Sequence, residues 1–393
     1  MAMDFDEIKE KSDRYLFQNY GRIPLSFTHG SGCYLYGTDG REYLDLVAGI
    51  AVNALGYAHP DWTRAVQEQV GRMTHVSNLY YIREQAELAE RVASITPGDL
   101  DRTLFVNSGA EANEGALKLA VRYTGRGKVM AAVDGFHGRT SAAMGATGQE
   151  AIQRSFEPLI SGAYEYFRFG DLESVKEMMD RDVAALIVEP IQGESGVHTT
   201  SAEFFKGVRD LCTDNGTLMI VDEVQTGIGR TGEWYGIQNF GVVPDVITMA
   251  KALGNGTPIG AVASTDEIAK VMTPGTHGTT FGGNPLVCSA GCAVIDIMKR
   301  DGLVAHAKDI GSRWMADIRA IGSPRIKEVR GYGLIIGIEM DSPETASAVQ
   351  MHCRENGVLV NVAHGRTIRL IPPLIIGDAQ KDVFTKLLAE CLD

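Results

Sequence analysis

The sequence predicts an α/β protein with a large domain on a mostly parallel, doubly wound sheet and a smaller α+β domain. Short apolar runs alternate with amphipathic stretches through the middle of the chain. Those runs lack polar alternation, as expected for strands that are buried on both faces. With 393 residues, 44% of them hydrophobic, the chain can bury one large core and a second, smaller one.

The alternation covers roughly residues 56–284, which we predict to form the large domain. Six apolar runs are predicted as its strands, at residues 104–106, 129–133, 184–188, 218–221, 246–249 and 261–263. Amphipathic stretches between them predict helices, among them residues 110–123, 172–181 and 202–215. A strand followed by a helix, repeated in this way, is typical of parallel sheets.

The two flanks, residues 1–55 and 285–393, have a different pattern. A turn-rich stretch at 37–41 predicts a hairpin in the first flank. The second flank predicts helices and a strand at 334–339, and Pro372-Pro373 interrupts it further on. We predict that both flanks together build the smaller domain and pack it against the large one.

Composition excludes several classes of function. The net charge is −13, with 37 basic and 50 acidic residues, so nucleic acid and anionic membranes are poor partners. No apolar run approaches the roughly 20 residues that a membrane span needs. Residues 1–7 lack a basic region before an apolar stretch, so we expect no signal peptide and a cytoplasmic protein. The six cysteines show no Cys-x-x-Cys pair, and we expect reduced thiols and no metal site.

Polar residues follow several predicted strands directly. Asn107, Asp134 and Glu189 follow three of them, Asp222 ends a fourth run, and Lys251 comes two residues after a fifth. Ligands of open parallel sheets bind outside the carboxyl ends of the strands. The sequence therefore predicts a binding site that gathers these side chains.

Asp222 and Lys251 each allow two interpretations. Asp222 is either an ordinary carboxylate at the start of a loop or the partner of a cationic ring nitrogen. Pyridoxal phosphate needs such a partner, because its protonated pyridine ring is the electron sink for carbanion chemistry. Lys251 is either a lysine that extends to solvent from a strand end or one that forms a Schiff base, for which burial lowers the amine pKa.

The start of the helix predicted at 110–123 is a candidate phosphate site. Ser108, Gly109 and Ala110 precede or open it, and backbone N–H groups at a helix N-terminus bind phosphate well. An ordinary helix cap would look the same. Phe136 is likewise either a core anchor or a ring that stacks on the cofactor.

Two arginines are candidates for binding carboxylates. Arg139 follows Phe136 by three residues, and Arg369 interrupts an apolar run. Together they suit a dicarboxylate such as 2-oxoglutarate, although either could form a structural ion pair. The glycines of 227–232 match a dinucleotide-binding pattern, but residues 233–236 do not open a convincing helix, so we expect no dinucleotide there.

These motifs identify a family resemblance. The chain resembles the class III pyridoxal phosphate aminotransferases of fold type I, from about Tyr15 to the C-terminus. Specific motifs include Asn-Ser-Gly-Ala-Glu-Ala-Asn at 107–113 and Asp-Glu-Val-Gln-Thr-Gly at 222–227. Others lie at 20–22, 39–45, 48–56, 77–80, 136–140, 188–194, 251 and 277–285. One departure is Arg83-Glu84, where the family pattern has Glu-Pro; it lies off the cofactor motifs.

The resemblance implies a role for each matching residue. Lys251 would be catalytic and carry the cofactor, pyridoxal 5′-phosphate. The residues implied to bind the cofactor are Ser108, Gly109, Ala110, Phe136, Asp222, Val224, Gln225, Lys251 and Thr280. Those implied to bind substrate are Arg139, Thr279, Glu194 and Arg369, with Glu194 and Arg369 acting as a carboxylate switch. Thr280 would reach the phosphate from a neighbouring subunit, which implies a homodimer with shared sites.

The resemblance also implies the reaction. A ping-pong transamination would convert N2-acetyl-L-ornithine and 2-oxoglutarate to N-acetyl-L-glutamate 5-semialdehyde and L-glutamate, a step of arginine biosynthesis. The same chemistry on ornithine, succinylornithine, N2-acetyllysine or 4-aminobutyrate stays open. So do a pyridoxal phosphate decarboxylase or racemase, and a non-catalytic protein of the same fold.

Overall fold

The computed structural model describes residues 3–392, and their strands form three sheets. In chain order the strands are β1 (Phe27–Ser31), β2 (Tyr34–Gly37), β3 (Glu42–Asp45), β4 (Arg102–Val106), β5 (Lys128–Ala132), β6 (Ala163–Phe167), β7 (Val183–Val188), β8 (Leu218–Asp222), β9 (Val246–Met249), β10 (Gly260–Ser264), β11 (Ile326–Tyr332), β12 (Ile335–Met340), β13 (Val358–Leu359), β14 (Asn361–Ala363) and β15 (Thr367–Leu370).

The large sheet has seven strands in the order β4-β10-β9-β8-β7-β5-β6. Neighbours from β9 to β6 pair in parallel, and β10 runs antiparallel to both β9 and β4. The predicted α/β class with a mostly parallel sheet is therefore confirmed. All six predicted strands belong to this sheet. The strand β6 was missed because it lies at the sheet edge, where only Phe167 is buried and no apolar run forms.

Both faces of the large sheet are covered, as the apolar runs predict. Along β7, Ala185 and Ile187 pack in one cluster with α5 (Gly109–Thr124), and Leu186 and Val188 pack in another with α9 (Ala202–Asn215). Successive side chains of a strand point to opposite faces, so an entirely apolar strand needs a helix layer on each side. This layering makes the sheet doubly wound.

The flanks of the chain build the two smaller sheets. One has the order β1-β2-β3-β13, and the other β11-β12-β15-β14. The hairpin predicted at 37–41 joins the antiparallel pair β2 and β3. Strand β13 pairs in parallel with β3, so segments from the two flanks share a sheet. The predicted domain boundaries at 55/56 and 284/285 stay a prediction.

Helices fill the connections between the strands. Besides α5 and α9 they are α1 (Phe5–Tyr15), α2 (Ala48–Ala51), α3 (Pro60–Val70), α4 (Arg83–Ala93), α6 (Ser141–Ala146), α7 (Glu150–Gln153), α8 (Leu172–Met178), α10 (Asp266–Ala269), α11 (Pro285–Arg300), α12 (Leu303–Ala320), α13 (Pro343–Glu355) and α14 (Asp378–Leu392), with 3-10 turns at Glu157–Leu159, Gly236–Phe240 and Lys251–Leu253. The helix predicted at 172–181 ends three residues early. Among residues 3–392 no helix has the length and apolarity to cross a membrane.

Candidate active site

A cavity of about 430 Å³ lies at the carboxyl ends of the parallel strands. Nine of the predicted site residues line it: Ser108, Gly109, Ala110, Phe136, Arg139, Asp222, Val224, Gln225 and Lys251. Four predicted residues are outside this wall, namely Glu194, Arg369, Thr279 and Thr280. Of the polar residues that follow separate strands, Asn107, Glu189, Asp222 and Lys251 line this cavity, because the carboxyl ends of parallel strands meet at one edge of the sheet. The exposed Asp134 does not line it.

Asp222 is the last residue of β8, and its carboxylate is held by three donors. Oδ1 accepts a hydrogen bond from Val224 N at 2.9 Å. Oδ2 accepts bonds from Asn113 Nδ2 at 2.8 Å and His137 Nδ1 at 2.7 Å. Only 4% of Asp222 is exposed. A buried carboxylate with several donors is a fixed point of negative charge in the cavity wall.

His137 and Asn113 were not among the site residues predicted from the sequence. His137 is buried; burial lowers the pKa of its imidazole, but the hydrogen bond and charge of Asp222 outweigh this, and the pKa is raised. Asn113 also donates to His137 O at 2.7 Å and accepts from Thr248 Oγ1 at 2.7 Å. The signal for Asn113 was a polar residue on the apolar face of a helix. For His137 the signal was its position directly after Phe136 in the chain.

Lys251 follows β9 and lines the cavity. Its φ of 43° lies in the left-handed region, which costs a residue with a side chain conformational energy. Burial lowers the pKa of the Lys251 amine, although the carboxylates of Glu194, Asp222 and Glu189 act in the opposite direction. A lowered pKa favours the neutral amine, which is the form that attacks carbonyl carbon.

Glu189 is a buried acid in the same wall. Its Oε2 accepts a hydrogen bond from Phe136 N at 3.0 Å. Burial raises the pKa of Glu189 to about 7, with the Asp222 carboxylate adding to the rise and His137 opposing it. The position of Glu189 at a strand end was predicted from the sequence, but no role for it was. The contact with Phe136 shows that it fixes the backbone of the aromatic residue in the wall.

The start of α5 provides a cradle at one end of the cavity. The Ser108 side chain caps the helix by accepting from Glu111 N at 3.1 Å. The N–H groups of Gly109 and Ala110, in the first turn, have no acceptor within the helix. A Cβ on Gly109 would lie 2.7 Å from Val224 Cγ1, so any other residue there would force Val224 to shift. These backbone donors and the helix dipole suit a phosphate dianion.

Glu194 and Arg369 form an ion pair just outside the cavity wall. Arg369 Nη1 lies 2.7 Å from Glu194 Oε1, and Arg369 is 2% exposed. Gln225 connects the pair to the cavity: its Nε2 donates to Glu194 Oε1 at 3.0 Å, and its Oε1 accepts from Arg369 Nη1 at 3.1 Å. Burial would raise the pKa of Glu194, but Arg369 outweighs it and the pKa is lowered. Both predicted members of the switch are therefore in contact.

Neither threonine lines the cavity of its own chain, although Thr279 contacts Asn107 in the cavity wall. Thr279 Oγ1 accepts a bond from Asn107 Nδ2 at 2.9 Å. Thr280 is exposed. The roles predicted for them, with Thr280 acting on a neighbouring subunit, stay predictions.

The donor set fits pyridoxal phosphate. A fixed anion (Asp222), a lysine whose pKa is lowered (Lys251) and a helix N-terminus (Gly109) match the cofactor's ring nitrogen, aldehyde and phosphate. Within residues 3–392 there is no cluster of three metal-ligating side chains.

Comparisons with known proteins agree with this chemistry. The profile of the aminotransferase class-III family matches residues 15–392. An acetylornithine aminotransferase of Methanothermobacter thermautotrophicus is 43% identical, over 99% of both chains. The crystal structure of acetylornithine aminotransferase from Elizabethkingia anophelis has a TM-score of 0.88 and 30% identity, covering 100% of this chain and 99% of that one. An ornithine aminotransferase from Toxoplasma gondii, described with pyridoxal phosphate at partial occupancy in its active site, has a TM-score of 0.93 and 32% identity, covering 98% of this chain and 94% of that one.

Proposed function

This chain belongs to the class III aminotransferase family, and we propose that it transfers the δ-amino group of N2-acetyl-L-ornithine to 2-oxoglutarate. The enzyme depends on pyridoxal phosphate. The products are N-acetyl-L-glutamate 5-semialdehyde and L-glutamate, a step of arginine biosynthesis. The observation that carries the proposal is the Glu194–Arg369 pair beside a cavity that contains Lys251 and Asp222. The choice of amine is supported by relatives named acetylornithine aminotransferases, which match this chain over nearly its full length.

Each residue of the wall has a proposed task. Lys251 would carry the cofactor, and its Nζ would take up and return the proton of the substrate carbon. Asp222 holds the ring nitrogen in its protonated state. When bound, the cofactor supplies an electron sink for the carbon that loses its proton. Phe136 would stack on the ring, and Gln225 would bond its phenolic oxygen.

The remaining wall residues hold the two ends of the ligands. Gly109, Ala110 and Ser108 bind the phosphate, with Val224 packed behind Gly109. Arg139 is exposed at the cavity and is proposed to bind the substrate carboxylate that lies far from the reacting amine. Thr279 is proposed to contribute to the same substrate contact.

The Glu194–Arg369 pair solves a problem that the two substrates create. 2-Oxoglutarate has a carboxylate beside its reacting carbon, whereas the δ-carbon of the amine donor has none. With the pair closed, the Arg369 charge is neutralised, and an uncharged substrate arm fits beside it. With Glu194 moved away, Arg369 binds the second carboxylate of the keto acid.

We also propose a homodimer with sites shared across its interface. Leu79, Tyr80, Tyr81 and Phe281 are exposed hydrophobic residues. Asn78 Nδ2 donates to Gly282 O at 3.0 Å, so these residues come from two adjoining segments. An exposed apolar patch of this kind is typical of an interface between proteins. Thr280 adjoins Phe281 in the chain, which suits a role in the partner's site. Cytoplasmic location stays a prediction from sequence.

The substrate proposal is tested by a half-reaction. The purified holoenzyme is mixed with N2-acetylornithine in the absence of keto acid, and the visible absorbance of the lysine-bound cofactor is followed. We expect the band to bleach and 2-oxoglutarate to restore it. Ornithine, succinylornithine, N2-acetyllysine and 4-aminobutyrate are compared in parallel. Bleaching by another amine alone would replace the proposed substrate with that amine.

A further inference from the structure

Four residues form a row across the small sheet that carries Arg369. Arg330 on β11 lies opposite Gly337 on β12, Gly337 lies opposite Arg369 on β15, and Arg369 lies opposite Asn361 on β14. Residues directly opposite each other on neighbouring strands have their side chains on the same face. Arg330 and Arg369 therefore project from one face of the sheet, on either side of a glycine.

The loop that carries Glu194 crosses this face at the glycine. The loop spans residues 192–198, and its ends pair through Gln192 N to His198 O at 3.0 Å and His198 N to Gln192 O at 3.2 Å. A Cβ on Gly337 would lie 2.8 Å from Val197 Cβ and 3.2 Å from Gly196 O. A residue with a side chain at 337 would therefore push the loop away from the sheet.

The two arginines hold the loop from both sides of the glycine. Arg369 Nη1 donates to Gly193 O at 3.0 Å and binds Glu194. Arg330 Nη2 donates to Gly196 O at 2.8 Å, and its Nε donates to Val197 O at 3.1 Å. Val197 has a φ of 59°, a strained conformation for a β-branched residue. A strained residue keeps its conformation only where its surroundings impose it, and Arg330 supplies that restraint.

Acidic neighbours hold the Arg330 guanidinium in place. Glu339 and Glu328 both pair with its Nη1, the second at 2.6 Å. Arg366, one residue before β15, pairs with the other oxygen of Glu339. Arg330 is 8% exposed, so its donors to the loop are sheltered from water. Buried hydrogen bonds of a charged group are stronger than exposed ones.

We propose that Arg330 and Gly337 are positioning residues that hold loop 192–198 so that Glu194 meets Arg369. They thereby set the fraction of protein molecules in which Glu194 pairs with Arg369 and keeps it from binding a second carboxylate. This inference rests on the proposed function, because closure of Arg369 is what distinguishes an ω-amine donor from glutamate. Neither residue touches the cavity that holds Lys251.

The test measures how well the holoenzyme binds glutarate, a dicarboxylate of the length of 2-oxoglutarate that cannot react. We call the hold of Arg330 and Gly337 on loop 192–198 the clamp. If the clamp is weakened, Arg369 is free of Glu194 more often, and the apparent affinity for glutarate rises with that free fraction. We expect Arg330→Gln and Gly337→Ala each to bind glutarate roughly tenfold more tightly in calorimetric titration. In both variants kcat/KM for the ω-amine, relative to that for glutamate, falls by a similar factor.

Controls separate the clamp from a general loss of structure. Gly337→Ala keeps every charge, so it decides the question if Arg330→Gln does not fold. Arg366→Gln removes a neighbouring ion pair of Glu339 without touching the loop and is expected to behave as the wild type. Arg330→Lys, which keeps the charge but not the planar fork, is expected to fall between wild type and Arg330→Gln.

Two results would overturn the inference. One is wild-type glutarate affinity in a folded Gly337→Ala. The other is an Arg366→Gln that changes as much as Arg330→Gln does. If the wild type does not use N2-acetylornithine, the substrate proposal fails, whereas glutarate binding still tests the clamp.

Discussion

The Nδ1 atom of His137 lies 2.7 Å from Oδ2 of Asp222, and both side chains are buried. A carboxylate oxygen only accepts hydrogen bonds, so the imidazole donates through Nδ1. Asn113 donates to the same oxygen, whereas Oδ1 accepts only the Val224 N–H and keeps a second lone pair for a ligand in the cavity. His137 and Asn113 thus fix the direction of the Asp222 charge, although neither is adjacent to it in sequence.

Replacing His137 should weaken binding of the cofactor. His137→Phe keeps an aromatic ring but removes one hydrogen bond to a buried carboxylate, an interaction worth about 1.5–3 kcal/mol. The Kd for pyridoxal phosphate, measured by titration of the cofactor-free protein, should therefore rise roughly 10–100-fold. His352→Phe, which alters a partly buried histidine on α13, serves as the control. Equal affinities in the two variants would exclude a role for His137 in orienting Asp222.

Replacing Lys251 should abolish turnover and leave the binding site intact. Lys251→Ala keeps the phosphate cradle and Asp222, so the protein should still bind the cofactor non-covalently. The absorbance of the lysine-bound cofactor should be absent, and glutamate formation from 2-oxoglutarate should stop. Normal turnover in this variant would refute the assignment of Lys251 as the catalytic residue.

Replacing Glu194 should remove the preference for the ω-amine donor. Glu194→Ala leaves the Arg369 guanidinium, which is 2% exposed, without its carboxylate, so the site should accept glutamate as donor more readily. The measurement is kcat/KM for N2-acetylornithine relative to glutamate, with the exposed Glu203→Ala on α9 as control. An unchanged ratio would mean that the pair does not act as a switch.

Glu189 should make the stability of the cofactor-free protein depend on pH. Burial raises its pKa from 4.5 to about 7, so between these values the folded protein holds a proton that the unfolded chain has lost. Stability therefore falls as pH rises through this interval. Glu189→Gln cannot ionise and lacks this fall.

The size of the Glu189 effect follows from the pKa shift. The free energy of unfolding of Glu189→Gln, relative to wild type, should increase by roughly 2–3 kcal/mol between pH 5 and pH 8. Urea unfolding at a series of pH values measures it. The exposed Glu177→Gln on α8 should show no such trend. A constant difference between Glu189→Gln and wild type would contradict a buried, proton-holding Glu189.

A charge in the exposed apolar patch should dissociate the proposed dimer. Phe281→Lys places an ammonium group where a partner's apolar surface is proposed to pack, and desolvating an unpaired charge is costly. Analytical ultracentrifugation should show a monomer with little activity. Met351→Lys alters an exposed methionine on α13, outside the patch, and should stay dimeric. A monomeric wild type would refute the shared site directly.

Much of the large sheet could be predicted because its signals are local. Strand β7 and the first four residues of β8 are continuous apolar runs, and β9 is apolar except for Thr248. A polar residue follows each run within two positions in the chain. Asp222 and Lys251 were recognisable for the same reason. The edge strand β6 was not, since partial exposure lets Tyr164, Glu165 and Tyr166 replace an apolar run.

The sequence by itself determined the alternation of strands and helices, the parallel class of the sheet and the residues that end its strands. Only the tertiary structure decided which distant residues meet: His137 and Asn113 at Asp222, and Arg330 beside the loop that carries Glu194. Periodicity and turn chemistry act over a few neighbouring residues. Strand register and the crossing of a loop over Gly337 depend on contacts between segments that are distant in the chain, which no local pattern records.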